Sequence, residues 1–144
     1  MTVFVDTQYW IAVTRPNDSW AVSAKEAKST LENPFLITTD EVLVEFLNAL
    51  AGGGEHLRRT ATKMVGAILD NPNVRVIPQS RDSFLRGIEF YKNRLDKAYS
   101  LTDCVSINTM KDKEIFKVLT NDHHFEQEGY EILMKKDTAV RLTS

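Results

Sequence analysis

The sequence predicts an α/β fold: a three-layer α/β/α sandwich around a mostly parallel five-stranded sheet. Two observations point there. Short β-branched and aromatic runs alternate with longer helical patterns, which implies βαβ units with right-handed crossovers. No internal repeat, low-complexity tract or linker breaks the alternation, so the 144 residues read as one domain, 1–144. Thr2 to Val5 is a short buried strand at the start. Gln8 to Val13 reads as a brief helical turn broken at Arg15-Pro16-Asn17-Asp18. Ser19 is then the expected N-cap of a helix to about Leu31, with Trp20, Ala24, Ala27 and Leu31 on one stripe. Phe35 to Thr38 is a second strand, and Thr39 or Asp40 caps a helix carrying Val42, Phe46, Ala49 and Leu50.

Gly52-Gly53-Gly54 turns into a helix from about Glu55 to Leu69. With no strand before it and no Lys-Ser/Thr after it, a helix–helix turn is favoured over a phosphate cradle. Val74 to Pro78 is the third strand, and Ser80 caps a helix to about Leu95. Ser100 opens another helix to about Lys111, Ile115 to Thr120 is the fourth strand, and Tyr130 to Leu133 the fifth. Ala139 to Leu142 suggests an edge strand or a partner contact.

Composition narrows the class. Hydrophobic residues at 42% and charged residues at 26% are ordinary for a soluble globular protein. A net charge of −2 gives no global signature for nucleic acid, although a cleft's field depends on distribution rather than sum. The single cysteine, Cys104, excludes an internal disulfide and fits a reducing cytoplasm. No membrane span or signal peptide is expected, so the chain reads as cytoplasmic.

Four acids sit in apolar or strand-end contexts: Asp6, Glu45, Asp103 and Asp122. In an open parallel sheet, ligands bind beyond the carboxyl ends of the strands. Asp6 closes the first strand, Asp122 follows the fourth, Asp103 lies in the first turn of a helix, and Glu45 lies near the second turn of the helix after strand two. Converging carboxylates raise one another's pKa, and a divalent cation relieves the repulsion. An Asp/Glu cluster without cysteine support selects hard cations such as Mg²⁺ or Mn²⁺.

Each acid also has a plainer role open to it. Asp6 could cap the helix that follows. Glu41, one turn before Glu45, offers an alternative carboxylate, although its place after the cap suits the helix dipole better. Ser100-Leu101-Thr102-Asp103 resembles a capping box, and Asn121-Asp122 a simple turn. His123 and His124, adjacent at a helix start, are expected to diverge rather than share one ion. Cys104 reads as a packed residue rather than a nucleophile. Phe4, Phe35, Phe46, Phe84 and Phe116 are expected in the core. Trp10, Tyr91 and Tyr99 are packing residues or base-stacking candidates. Arg58, Arg59 and Lys63, and the helix from Arg81 with Arg86, Lys92, Arg94 and then Lys97, could track a phosphate backbone or form solvated faces.

Val3-Phe4-Val5-Asp6-Thr7, Thr38-Thr39-Asp40-Glu41-Val42-Leu43-Val44-Glu45-Phe46, Tyr99-Ser100-Leu101-Thr102-Asp103-Cys104-Val105-Ser106 and Leu119-Thr120-Asn121-Asp122-His123-His124-Phe125 together resemble a PIN domain, of the VapC-like toxin ribonuclease branch. The resemblance implies a metal-dependent endoribonuclease that hydrolyses RNA phosphodiesters by metal-activated water, leaving a 5′-phosphate and a 3′-hydroxyl. It places the family's acids on Asp6, Glu45, Asp103 and Asp122, with Thr7 as a supporting hydroxyl and Mg²⁺ or Mn²⁺ as cofactor. It further implies an RNA substrate, an antitoxin protein as partner of a toxin–antitoxin pair, and a homodimer. The alternative function is a catalytically silent PIN-like module that binds RNA or protein. A haloacid-dehalogenase-like phosphatase is disfavoured, because no second Asp stands two residues after Asp6. A response-regulator receiver is disfavoured too, because Val76-Ile77-Pro78 lacks a strand-closing Asp.

Overall fold

The computed structural model describes residues 1–136; the Ala139 to Leu142 segment lies outside the described residues. The elements run β1 (Thr2–Val5), α1 (Thr7–Thr14), α2 (Ala21–Ser29), β2 (Phe35–Thr39), α3 (Asp40–Leu50), α4 (Glu55–Asp70) and β3 (Val74–Ile77). They continue with α5 (Arg81–Lys92), α6 (Leu101–Asp112), β4 (Lys117–Leu119), α7 (His124–Gln127) and β5 (Glu131–Ile132). The five strands form one sheet in the order β3-β2-β1-β4-β5, and every pairing is parallel.

That order locates the site. The chain winds outward from β1 through β2 to β3, then returns to lay β4 on the other side of β1. The reversal between β1 and β4 opens the crevice in which α/β sheets bind ligands. Phe4 is in register with Ile37 on one side and Val118 on the other, so β1 is the central strand. Its Val3, Phe4 and Val5 are fully buried, matching the unbroken apolar run of a strand covered on both faces. The Asp6 amide continues the ladder by donating to the Leu119 carbonyl (3.2 Å), and Thr38 Oγ1 donates to the Val5 carbonyl (2.9 Å). Both strand ends are therefore fixed against each other.

Local chemistry explains the helices. Thr39 Oγ1 accepts from the Val42 amide and caps α3, which buries Val42, Leu43, Phe46 and Leu50 along one face. Ser80 with Ser83, and Ser100 with Asp103, close reciprocal capping boxes on α5 and α6. Gly54, at φ 94°, begins α4 in a conformation that strains other residues; no strand precedes the glycines, so they form the helix–helix turn. Gly87 lets α5 lie close on α6, since a Cβ there would meet Val105 Cγ2 at 2.9 Å.

Some expectations are corrected. Helix α2 starts at Ala21 rather than after Ser19, because the Asp18 carboxylate accepts from the Trp20 amide and turns the chain one residue later. Phe4 and Phe46 are buried, but Phe35, Phe84 and Phe116 are exposed. Trp10 and Tyr99 are buried among packed side chains and present no face for a base; of the three stacking candidates Tyr91 is exposed. Among the described residues no helix is long and apolar enough to cross a membrane.

Candidate metal centre

Asp6 ends the central strand, and its side chain makes no capping hydrogen bond to α1. It turns instead toward β4, where Oδ2 accepts from Thr120 Oγ1 at 2.8 Å. The other oxygen, Oδ1, is buried with no hydrogen-bond partner in a residue only 2% exposed. An unpartnered buried carboxylate oxygen is costly. Burial, followed by the neighbouring Asp103 and then Glu45, pushes the Asp6 carboxyl up to about 8, against the lowering effects of Thr120 and the Thr7 amide. The capping role is excluded by this geometry.

Helix α3 carries both glutamates weighed for the pocket, one turn apart, and the structure separates them. Glu41 Oε2 accepts from Ser83 Oγ at 3.0 Å, which ties it to the start of α5. Glu45 faces the acids. Burial raises its pKa, the Thr7 and Thr102 hydroxyls counteract, and Asp103 and Asp122 raise it further. Thr7 Oγ1 influences Glu45 without closing a hydrogen bond of normal geometry, and is itself buried and unpartnered.

Asp103 closes the capping box and also faces His124 and Asp122. Its Oδ2 accepts from the Ser100 amide (3.0 Å), completing the capping box of α6, and lies 3.1 Å from His124 Nδ1. Burial raises its pKa; the Ser100 and His124 contacts lower it, and Asp122 raises it. Asp122 likewise combines a turn with the site. Its amide donates to Thr120 Oγ1 (3.1 Å), and its Oδ1 accepts from the His124 amide (2.9 Å). Thr120 thus bridges Asp6 and the Asp122 backbone.

His124 was not anticipated as part of the cluster. Its side chain is 27% exposed against 79% for His123, which pairs outward with Glu126. Asp103, Asp122 and His124 each present a ligand atom within 4.8 Å of the other two. The His124 ring packs on Tyr99 with centroids 5.2 Å apart. The Tyr99 hydroxyl donates to Glu128 Oε2 (2.8 Å), and Arg94 clamps the same carboxylate through Nε and Nη2. Burial pushes Glu128 up, but Arg94 and Tyr99 outweigh it and hold the carboxyl below its usual range.

The remaining candidates resolve into structure. Cys104 is fully buried, and burial with Asp103 beside it pushes its thiol up to about 11, which leaves no reactive thiolate at neutral pH. Arg86 is held bidentate by Asp112 at 2.6 and 2.9 Å, and Arg59 pairs with Glu55 at 2.7 Å. Arg58 Nη1 donates to the Ala51 carbonyl at 3.0 Å.

Asp103, Asp122 and His124 stand at ligand spacing, and Asp6 and Glu45 lie near enough to Asp103 for its charge to raise their pKa; Asp6 adds a buried oxygen without a partner. This donor set fits a divalent cation, which oxygen ligands hold and which relieves the repulsion. Fold and site together define an α/β domain with a carboxylate-lined centre at its topological switch point. Residues 3–128 match the model of the PIN domain, and the chain belongs to that family.

Among solved structures, VapC20 of Mycobacterium tuberculosis, described as a Sarcin-Ricin loop cleaving toxin, is similar at 25% identity and a TM-score of 0.79. The match covers 89% of this chain and 95% of that one. FitAcB from Neisseria gonorrhoeae shares the fold at 14% identity and a TM-score of 0.63, over 92% of this chain and 96% of that one. A chain of a toxin-antitoxin complex from Klebsiella pneumoniae does so at 16% and 0.60, over 90% and 99%. No curated protein matches the sequence.

Proposed function

We propose that the chain is the toxin of a toxin–antitoxin pair: an endoribonuclease that hydrolyses RNA phosphodiesters with Mg²⁺ or Mn²⁺ in the Asp6, Glu45, Asp103 and Asp122 crevice. The observation that carries this reading is the orphaned Asp6 Oδ1, buried beside Asp103 and Glu45 at the switch point. A carboxylate so placed is destabilising without a cation. A divalent ion, when bound, lowers the pKa of a coordinated water and offsets charge on a phosphodiester.

The residues divide the remaining work. Asp103 on α6 and Asp122 in the β4–α7 turn would hold the ion, and Asp6 would join them as its carboxylate. Thr120 fixes the Asp6 rotamer through the 2.8 Å hydrogen bond. Glu45, flanked by the Thr7 and Thr102 hydroxyls, would support the ion and orient the attacking water.

RNA as substrate follows the description of VapC20 as a loop-cleaving toxin, and an antitoxin partner follows the description of the Klebsiella assembly. Self-association has a surface suited to it: Phe84, Ile88, Tyr91 and Leu95 are all exposed at helical spacing along and just beyond α5. The test is cleavage of RNA in Mg²⁺ or Mn²⁺ by the wild type and by Asp6→Asn and Asp103→Asn. The reading requires ion-dependent cleavage that both substitutions reduce by at least about a hundredfold. Equal cleavage by the folded variants would overturn the site, and binding without cleavage in any divalent ion would favour the silent binding module.

A further inference from the structure

We propose that His124 supplies a nitrogen donor to this centre, shifting its preference away from Mg²⁺ and toward first-row transition ions such as Mn²⁺. The inference rests on the reading of the crevice as a metal site and adds a ligand to it. His124 Nδ1 lies 3.1 Å from Asp103 Oδ2 and 3.3 Å from Asp122 Oδ1. Neighbouring ligands on an octahedral cation with bonds of about 2.1 Å stand about 3 Å apart. In the absence of an ion Nδ1 is hydrogen-bonded to Asp103, and the same spacing lets these donors close around one ion once that nitrogen is free of its proton.

The ring is also fixed before any ion arrives. The His124 amide is bound by the Asp122 carboxylate (2.9 Å), and Phe125, the next residue, is fully buried. Tyr99 supports one side of the imidazole and is itself held by the Glu128–Arg94 clamp. Only one of the two adjacent histidines is held in this way; His123 turns out to Glu126. Asp6 Oδ1, buried without a partner in a residue that feels the Asp103 charge, is a separate polar atom beside this group that a ligand would satisfy.

The chemical consequence follows from ligand type. Mg²⁺ prefers all-oxygen coordination and keeps its waters; an imidazole nitrogen suits the later ions Fe, Ni, Cu and Zn best, and Mn²⁺, at the start of that series, tolerates it better than Mg²⁺ does. Glu128, Tyr99 and Arg94 become positioning residues, because they set the ring that sets the preference.

The experiment is Mn²⁺ titration of the full chain followed by electron paramagnetic resonance, with echo modulation read on the bound ion. The signal of free Mn²⁺ reports binding, and nitrogen-14 modulation reports a coordinated imidazole. The expected result is bound Mn²⁺ with nitrogen-14 modulation in the wild type and in His123→Gln, and its loss in His124→Gln. Wild-type protein grown on nitrogen-15 histidine should lose the same modulation, which avoids any folding defect in the variant. His124→Gln should weaken Mn²⁺ about tenfold or more while changing Mg²⁺, measured by competition, by less than about threefold. Bound Mn²⁺ without nitrogen modulation would overturn the role of His124 and leave the carboxylate site standing. No bound Mn²⁺ at all would overturn the metal site itself.

Discussion

Replacing Asp6 with Asn should make the metal-free protein more stable. In the folded protein the Asp6 carboxyl is raised from 3.8 to about 8, by burial first and then by Asp103 and Glu45. Between those two values the folded state holds a proton that the unfolded state has released, so stability falls as pH rises through the window. By pH 7 the unfolded chain is ionised at this position and the folded one is not, a difference of about 4 kcal/mol. Asn incurs none of it. Its carbonyl oxygen can still accept from Thr120, and its amide can point at the neighbouring carboxylates where Oδ1 now has no partner.

One kcal/mol moves the melting temperature by about 2–4 °C in a domain near this size, so Asp6→Asn in EDTA at pH 7 should melt about 8 °C or more above the wild type. The gap should close as pH falls toward 4. Saturating Mn²⁺ should narrow the gap, because ligand linkage contributes about 2.7 kcal/mol at a hundred times Kd and the variant has lost a ligand. Scanning calorimetry from pH 4 to 8 checks all three features. Parallel pH curves for the two proteins, or an Asn variant no more stable at pH 7, would refute the argument that Asp6 is a repelled buried acid.

Further outcomes are expected elsewhere. Ser100→Ala removes the hydroxyl that caps α6 and should cost about 1 kcal/mol in urea unfolding, while also loosening Asp103 within its capping box. Phe46→Ala empties a fully buried position on the pocket helix and should cost about 3–5 kcal/mol in the same assay. Ile88→Asp places a charge in the exposed stripe of α5 and should leave a monomer by sedimentation velocity; a wild type that is monomeric at high concentration would end the dimer reading.

Much of this was legible from local sequence, for identifiable reasons. The run Val3-Phe4-Val5 could only be a covered strand, and its carboxyl end then had to lie at the ligand-binding edge. Glu45 was only preferred over Glu41, on the family resemblance and because an acid in the first turn is served by the helix N-terminus; its neighbours could not decide it, since Phe46 is buried but Val44 is exposed. His124 was not legible. Two adjacent histidines look alike in sequence, and only the Asp122 turn with the buried Phe125 decides which one faces Asp103. Phe35, Phe84 and Phe116 were misplaced because aromatic character measures affinity for a core, not access to one. Asp103 shows why the plain and functional readings could not be separated: one carboxylate closes a capping box and also faces the cluster.

The central claim is that these acids hold a divalent ion, and crystals grown with Mn²⁺ test it most directly. An anomalous difference map should show a peak contacted by Asp103 and Asp122, within ligand or water-bridged reach of Asp6 and Glu45. A map with no peak in that crevice at saturating Mn²⁺, or one whose only peak lies on another surface, would contradict the account.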